Sequence, residues 1–353
     1  MKARVTARAM TMLAIGLLTT ACSSTKHIVD GGTGGDAPSG PHLPLVKVAD
    51  VPLPGNPTRF DYQDIDSKRG QLVIAHMDDS SVLVTSLEDG SVLKELPGIG
   101  TVRGVLAASD IGRIFASADA TNELVLIDST SLTETSRTPT GNGPDGIGWD
   151  PTDQVVGVSD QDDGVVSLIA GGGTGKRTDV PLGGIETGNV VFDTGRGWFW
   201  ASVVTATPPN QLVAVDPLTA TIKTRLDLPG CEGAHGLRIH PDGNSALVAC
   251  EGNYVLARVD LGGTHAVTTA PTGGGPDVLS IDPSLGWLYV ASESGDLVVF
   301  DIGQPGLVAI DHEHPGDNSH SVAVDPATHR VFFPLVAGPS GTPVLRIMKP
   351  SGT

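Results

Sequence analysis

HSVAVDPATHRVFFP (320–334) carries one unit in full: a polar residue, a short apolar alternation, an Asp-Pro turn and a second apolar run. The two-residue period of SVAV is that of a β-strand, and Asp-Pro ahead of another apolar run marks a tight reversal. The unit recurs as DYQDIDS (61–67), RGVLAAS (103–109), DGIGWDP (145–151), GNVVFDT (188–194), HGLRIHP (235–241) and DVLSIDP (277–283). The first residues of the seven copies are Asp61, Arg103, Asp145, Gly188, His235, Asp277 and His320. Their spacings are 42, 42, 43, 47, 42 and 43. A repeat of that length, sustained seven times, is the signature of a closed array of identical supersecondary units.

Each unit has room for four strands. In the sixth they read DVLSID, WLYVAS, DLVVFD and GLVAID, separated by Gly, Pro and Asp turns. About 40 residues holding a four-stranded antiparallel meander is one propeller blade. No window has the 3.6-residue period of a helical repeat. The fold expected is therefore all-β, a seven-bladed β-propeller. The seventh unit (318–350) has only three strands, HSVAV, RVFFP and PVLRI. LVKVADVPLPG (45–55) parallels the outer strand SVLKELPGIG (91–100) of unit one and is the natural donor of the missing fourth. Pairing it into the last blade closes the ring and removes exposed sheet edges. TATPPN (205–210) accounts for the one long spacing.

The 353-residue chain carries 46 Gly, 26 Pro and a net charge of −18, a composition suited to many short strands and turns. Such an acidic chain repels phosphate backbones, so nucleic acid is not an expected partner. Residues 1–22 read as a leader: a basic start with Lys2, Arg4 and Arg8, then an apolar Ala9–Ala21 too short to span a bilayer comfortably. Without those three basic residues the chain is more acidic still. Leu18-Thr19-Thr20-Ala21-Cys22 resembles a bacterial lipobox, with Thr19 where Leu is usual. The resemblance implies cleavage before Cys22, acylation of its thiol and a membrane held through the lipid; plain secretion is the alternative. Ser23 after the Cys favours the outer membrane in a Gram-negative host. Residues 23–43, with GGTGG and PSG, read as a flexible tether of roughly 25 Å mean span. The propeller occupies 44–353.

GPDGIGWDP (143–151), LYVASESGDLVVFD (288–301) and HSVAVDPATHRVFFP (320–334) resemble the YncE-like, YVTN-repeat β-propellers of bacteria over about 45–350. The literal Tyr-Val-Thr-Asn string is absent, Tyr289-Val290-Ala291-Ser292 standing in its place. The resemblance implies an extracytoplasmic binding or scaffold protein of the cell envelope without an assigned reaction.

In a propeller the innermost strand of each blade lines a central channel, so the seven aligned residues form a ring at one mouth. His235, Asp277, His320 and Asp61 lie on consecutive blades, with Arg103 and Asp145 beyond, and this set is the expected ligand-binding face. Second strands return to the same face with His76, Asp160, Glu251 and Glu293, and the approach to blade seven adds His312, Glu313, His314 and Asp317. No compact motif such as His-Glu-x-x-His is present. The simplest reading is a hydrated polar funnel in which Arg103 neutralises Asp61 or Asp145. The alternative cofactor is a divalent metal held by Asp61, Asp277, Glu293 and His320, residue types that suit Zn²⁺ or Mn²⁺ and, with fewer His, Ca²⁺ or Mg²⁺. Streptogramin lyases and gluconolactonases are metal-bearing propellers, and Cys250-Glu251-Gly252-Asn253 with His235-Gly236 faintly resembles the lyase repeat. That likeness implies a lyase or lactonase with His235 or His320 as the acting base. A purely structural envelope subunit is the third reading.

Cys231 precedes His235 by four residues, and Cys250 ends the next strand. Antiparallel pairing brings the two together, and in an oxidising compartment a disulfide is expected. Trp149, Trp198, Trp200 and Trp287 fall on or beside strands and are expected to pack between blades.

Overall fold

The computed structural model describes residues 40–353. The leader, Cys22 and the tether as far as residue 39 lie outside the described residues. The rest forms seven four-stranded antiparallel sheets arranged as a ring: a seven-bladed β-propeller. Blades one to six take consecutive strands at 63–97, 102–139, 144–181, 186–228, 234–271 and 276–313. Blade seven combines Ala323–Asp325, Arg330–Leu335 and Val344–Ser351 with the first strand of the chain, His42–Pro52, as its outer member. That strand runs antiparallel to Val344–Ser351, Pro52 opposite Val344 and His42 opposite Ser351. The ring therefore closes by joining His42–Pro52 and Val344–Ser351 in one sheet, the first strand starting two residues before position 44.

The recurrent Asp is a turn-forming residue. At the hairpin between first and second strands its carboxylate accepts backbone N–H groups two or three residues on: Asp150 from Thr152 (2.9 Å), Asp193 from Gly195 (2.9 Å), Asp282 from Ser284 (3.0 Å) and Asp325 from Ala327 (3.1 Å). The hairpin between third and fourth strands repeats the device with Asp128, Asp216, Asp260 and Asp301. A side-chain acceptor placed over the turn satisfies donors that the sheet ladder cannot reach.

The core lies between blades. Leu212 and Trp200 of blade four pack with Leu237 and Val248 of blade five, and Phe115 and Leu124 of blade two with Val156 and Val158 of blade three. Trp200 is fully buried, while Trp149, Trp198 and Trp287 are partly buried against the same layers. Second and third strands are apolar on both faces because each has a blade on either side; outer strands alternate, as in Thr221–Leu228. The insertion at 205–210 leads into the third strand of blade four, Asn210–Asp216. Cys231 and Cys250 form a disulfide with their Cα atoms 5.3 Å apart, tying the entry loop of blade five to the end of its second strand.

Candidate functional site: an acidic funnel at one mouth of the channel

The innermost strands are not regular where they enter the channel. In blades two to six the ladder breaks between Val102 and Val105, Pro144 and Ile147, Thr187 and Val190, Ala234 and Leu237, and Pro276 and Leu279. Each break contains the aligned ring residue. Such a bulge re-aims a side chain. Neighbouring innermost strands crowd here: a Cβ on Gly236, next to His235, would stand 1.8 Å from the Asp277 carbonyl oxygen, so only glycine fits. The Ser117 hydroxyl accepts from Gly104 N (2.7 Å) and donates to the Asp145 carbonyl (2.7 Å), linking blades two and three at the mouth.

The mouth opens as a cavity of about 270 Å³ lined by Asp61, Arg103, Asp145, His235 and Asp277, together with Arg59, Glu251 and Glu293. Asp61, Asp145 and Asp277 are only 2–5% exposed. His235 Nε2 sits among carboxylates: 3.4 Å from Asp145, 3.6 Å from Asp277 and 3.9 Å from Glu251. It reaches Asp145, two blades away, because blade four contributes Gly188 and no side chain. His320 is buried; its Nδ1 lies 3.2 Å from the Asn318 carbonyl and 3.8 Å from Glu293. With Nδ1 committed to that carbonyl, Nε2 is the ring nitrogen left to face a ligand. His320 Nε2 and Asp277 Oδ1 are buried without hydrogen-bond partners.

Burial pushes all three Asp carboxyls upward. Asp61 is raised well above the ordinary range by desolvation and then by Asp277 and Asp145. Asp145 is raised by desolvation against the pull of His235 and Arg103. Asp277 is raised by desolvation to about 6, opposed by His235 and His320. Burial works against the His235 imidazolium, but Glu251, Asp277, Asp145 and Asp61 outweigh it and lift the ring to about 9. At neutral pH His235 is therefore a proton donor, without the lone pair a general base needs.

Two donor groups are close enough to converge on one ion. Asp61, Asp277 and His320, or His235, Glu251 and Asp277, each offer ligand atoms within 4.8 Å of one another. Glu293, expected as a fourth ligand with Asp61, Asp277 and His320, belongs to neither. It bonds Arg59 (2.6 Å) and Asn318 (2.9 Å).

Arg59 was not anticipated. Its guanidinium stands 3.9 Å from Asp277 as well, and so shares with Arg103 the neutralising role assigned to Arg103 alone. Arg103 itself turns to Asp119 (2.8 Å) and Gln161 (2.6 Å). A signal for Arg59 does exist. Two residues before the ring position other copies carry turn residues at positive φ, Gly143 (64°), Gly233 (61°), Gly275 (64°) and Asn318 (55°), so Arg59 and Glu186 stand out as side chains where a turn is the rule.

His76 and Asp160 do not reach the funnel. His76 stacks on Phe60 with ring centroids 4.0 Å apart and bonds Thr58 (3.1 Å); Asp160 accepts from Ser167 (2.6 Å). They are the last residues of their strands, and the funnel is lined by the next position: Met77, Asp119, Gln161, Glu251 and Glu293. A one-residue shift along a strand moves a side chain to the other face. His312 and Glu313 also lie elsewhere, in the outermost strand of blade six, Val308–Glu313. His312 and His314 approach Asp296, His314 also meets Asp317, and Glu313 accepts from Leu45 N (2.6 Å).

No known protein family matches the sequence, and no curated protein matches it. Solved structures do. The hydrazine synthase of Kuenenia stuttgartiensis aligns with a TM-score of 0.72 over 83% of this chain and 96% of that one, at 13% identity. Virginiamycin B lyase from Staphylococcus aureus aligns with a TM-score of 0.69 over 85% and 98%, also at 13% identity. At that identity the likeness establishes the β-propeller fold; sites and chemistry do not transfer with it.

Proposed function

We propose that this chain is a ligand-binding β-propeller of the YncE-like type, exported and held to the cell envelope by a lipid on Cys22, that takes a cation in its acidic funnel. The observation that carries the binding reading is the convergence of buried Asp61, Asp277 and His320 with unpartnered Asp277 Oδ1 and His320 Nε2. Buried polar atoms without partners are costly, and a bound cation would supply the contact that these two lack. Two carboxylates and one imidazole suit Zn²⁺ or Mn²⁺. The lipobox-like stretch ending at Cys22 and the tether after it support export and anchoring; the mass of the N-terminal peptide of the mature protein tests both.

Titration calorimetry with Zn²⁺ and Mn²⁺, alongside elemental analysis after dialysis, tests the funnel. Stoichiometric binding lost in Asp277→Asn and His320→Gln is the expected result; binding unchanged in both variants would sink the proposal. Arg59→Ala gives an opposite sign. The Arg59 guanidinium stands 3.9 Å from Asp277 and repels a cation held there, so its removal is expected to tighten the ion.

The second reading, a lyase or lactonase, rests on the same donor set, with the metal polarising a carbonyl. His235, protonated at neutral pH, would act there as acid, leaving His320 as ligand or base. Turnover of lactones or cyclic esters that tracks metal content and vanishes with His235→Gln separates it from simple binding.

A further inference from the structure

The opposite end of the channel holds a second cavity with a different character. The innermost strands run on from the ring, and three residues later they present Asp64, Leu106, Gly148, Val191 and Arg238. Here the channel widens to about 340 Å³, walled on one side by Trp149 and Phe192. That volume falls in the range of small-molecule sites.

Two polar groups here go unused by the fold, and an aromatic wall stands beside them. Arg238, half-buried at the end of the blade-five strand Ala234–Ile239, donates only to its neighbouring Leu237 carbonyl (3.0 Å), and no described carboxylate lies within ion-pair distance of it. The other described arginines without a carboxylate partner, Arg113, Arg225, Arg258 and Arg330, each donate to a carbonyl remote in sequence, which Arg238 does not. Asp64, the nearest compensating group, is turned to the Ala107 N–H (2.8 Å) and is pushed toward its neutral form by burial. The Tyr62 hydroxyl is buried with no partner. Desolvation, with the ring carboxylates Asp277, Asp145 and Asp61 nearby, holds Tyr62 well above its usual pKa, so it stays a donor. Trp149 spends its N–H on Asp110 (3.0 Å) and packs on Phe115 with ring centroids 5.6 Å apart, so it meets the cavity as an apolar wall.

We infer that this cavity binds a small aryl or alkyl carboxylate, its apolar body against Trp149 and Phe192 and its carboxylate on Arg238, with Tyr62 as an additional donor. A guanidinium offers paired N–H groups that match a carboxylate, and the aromatic wall accepts the rest of the molecule. Its lining shares no residue with that of the cation funnel.

The test uses 3-phenylpropionate and indole-3-acetate, their neutral amides, and phenethylamine, titrated calorimetrically into the mature protein. The expected result is saturable binding of the carboxylates with a Kd of about 1 mM or tighter, at least about tenfold weaker binding of the amides and none of the amine. Arg238→Gln should abolish carboxylate binding, and Arg238→Lys should keep part of it. Circular dichroism of each variant checks folding. Equal binding of acids and amides, no saturable binding of either acid, or retention in a folded Arg238→Gln protein overturns the inference.

Discussion

At the scale of single residues, much of the acidity of the chain is spent on turns. Asp282 is fully buried. Its Oδ1 accepts from Ser284 N (3.0 Å), Ser284 Oγ (2.6 Å) and Leu285 N (3.2 Å), and its Oδ2 meets His329 Nδ1 of blade seven at 2.6 Å. It therefore shapes a hairpin within one blade and ties that blade to the next. Asp282→Ala strips the buried turn of its acceptor and is expected to cost about 2–3 kcal/mol, read as a lower denaturation midpoint with an unchanged slope. A loss below a few tenths of a kcal/mol would mean that water replaces the carboxylate. The same accounting explains why net charge alone was a poor guide to function: the carboxylates that matter to the funnel are the few turned inward, and composition does not distinguish them from turn residues.

At the scale of the element, the strand His42–Pro52 has the largest structural leverage. Asp50 receives a bidentate contact from Arg346 (2.7 and 2.8 Å), and Leu45 N donates to Glu313 of blade six. The Arg346 contact, partly opposed by desolvation, holds Asp50 down at about 2, so its contribution is present above about pH 4 and fades as pH falls through 2. Removing residues 1–52 leaves Val344–Ser351 as an unpaired edge. Such a truncation is expected to elute as oligomers or aggregates in size-exclusion chromatography, whereas Asp50→Ala stays monomer-sized and loses about 1–2 kcal/mol of stability. A truncated protein with unchanged elution and stability would show that closure contributes nothing. Strand-level reading located this donor correctly by its likeness to 91–100. It misplaced His76 and Asp160, because a strand boundary cannot be set to one residue from an apolar pattern while the facing of a side chain depends on that residue.

At the scale of the whole molecule, the buried titratable groups tilt stability toward mild acid. Asp160 is raised by desolvation to about 7. The folded protein thus binds a proton that the unfolded chain releases near 4, and stability falls as pH rises between those values. For His235, burial is outweighed by four carboxylates and its pKa rises to about 9; its contribution is complete below about 6.5 and is lost as pH climbs through 9. The two windows adjoin. In metal-free buffer the melting temperature is expected to be higher at about pH 5 than at about pH 8.5, with Asp160→Asn flattening the lower part of the slope and His235→Gln the upper part. A melting temperature that rises over that interval contradicts the assignment.

Seven copies of one unit at a near-constant period were enough to specify the blade, the number of blades and the strand that closes the ring, because repetition and alternation are local properties of a chain. The aligned positions Asp61, Arg103, Asp145, His235, Asp277 and His320 were legible for the same reason: equivalent positions in a closed array must share one circle. Only the tertiary structure decided what those residues do to each other. Gly188 leaves the gap through which His235 meets Asp145, Arg59 enters from outside the repeat to hold Glu293, and bulges in blades two to six aim Arg103, Asp145, His235 and Asp277 into the channel. These are distances across the ring between residues tens to hundreds of positions apart, and burial together with the neighbouring charges sets the charge states there. The period of the sequence contains neither the distances nor the burial.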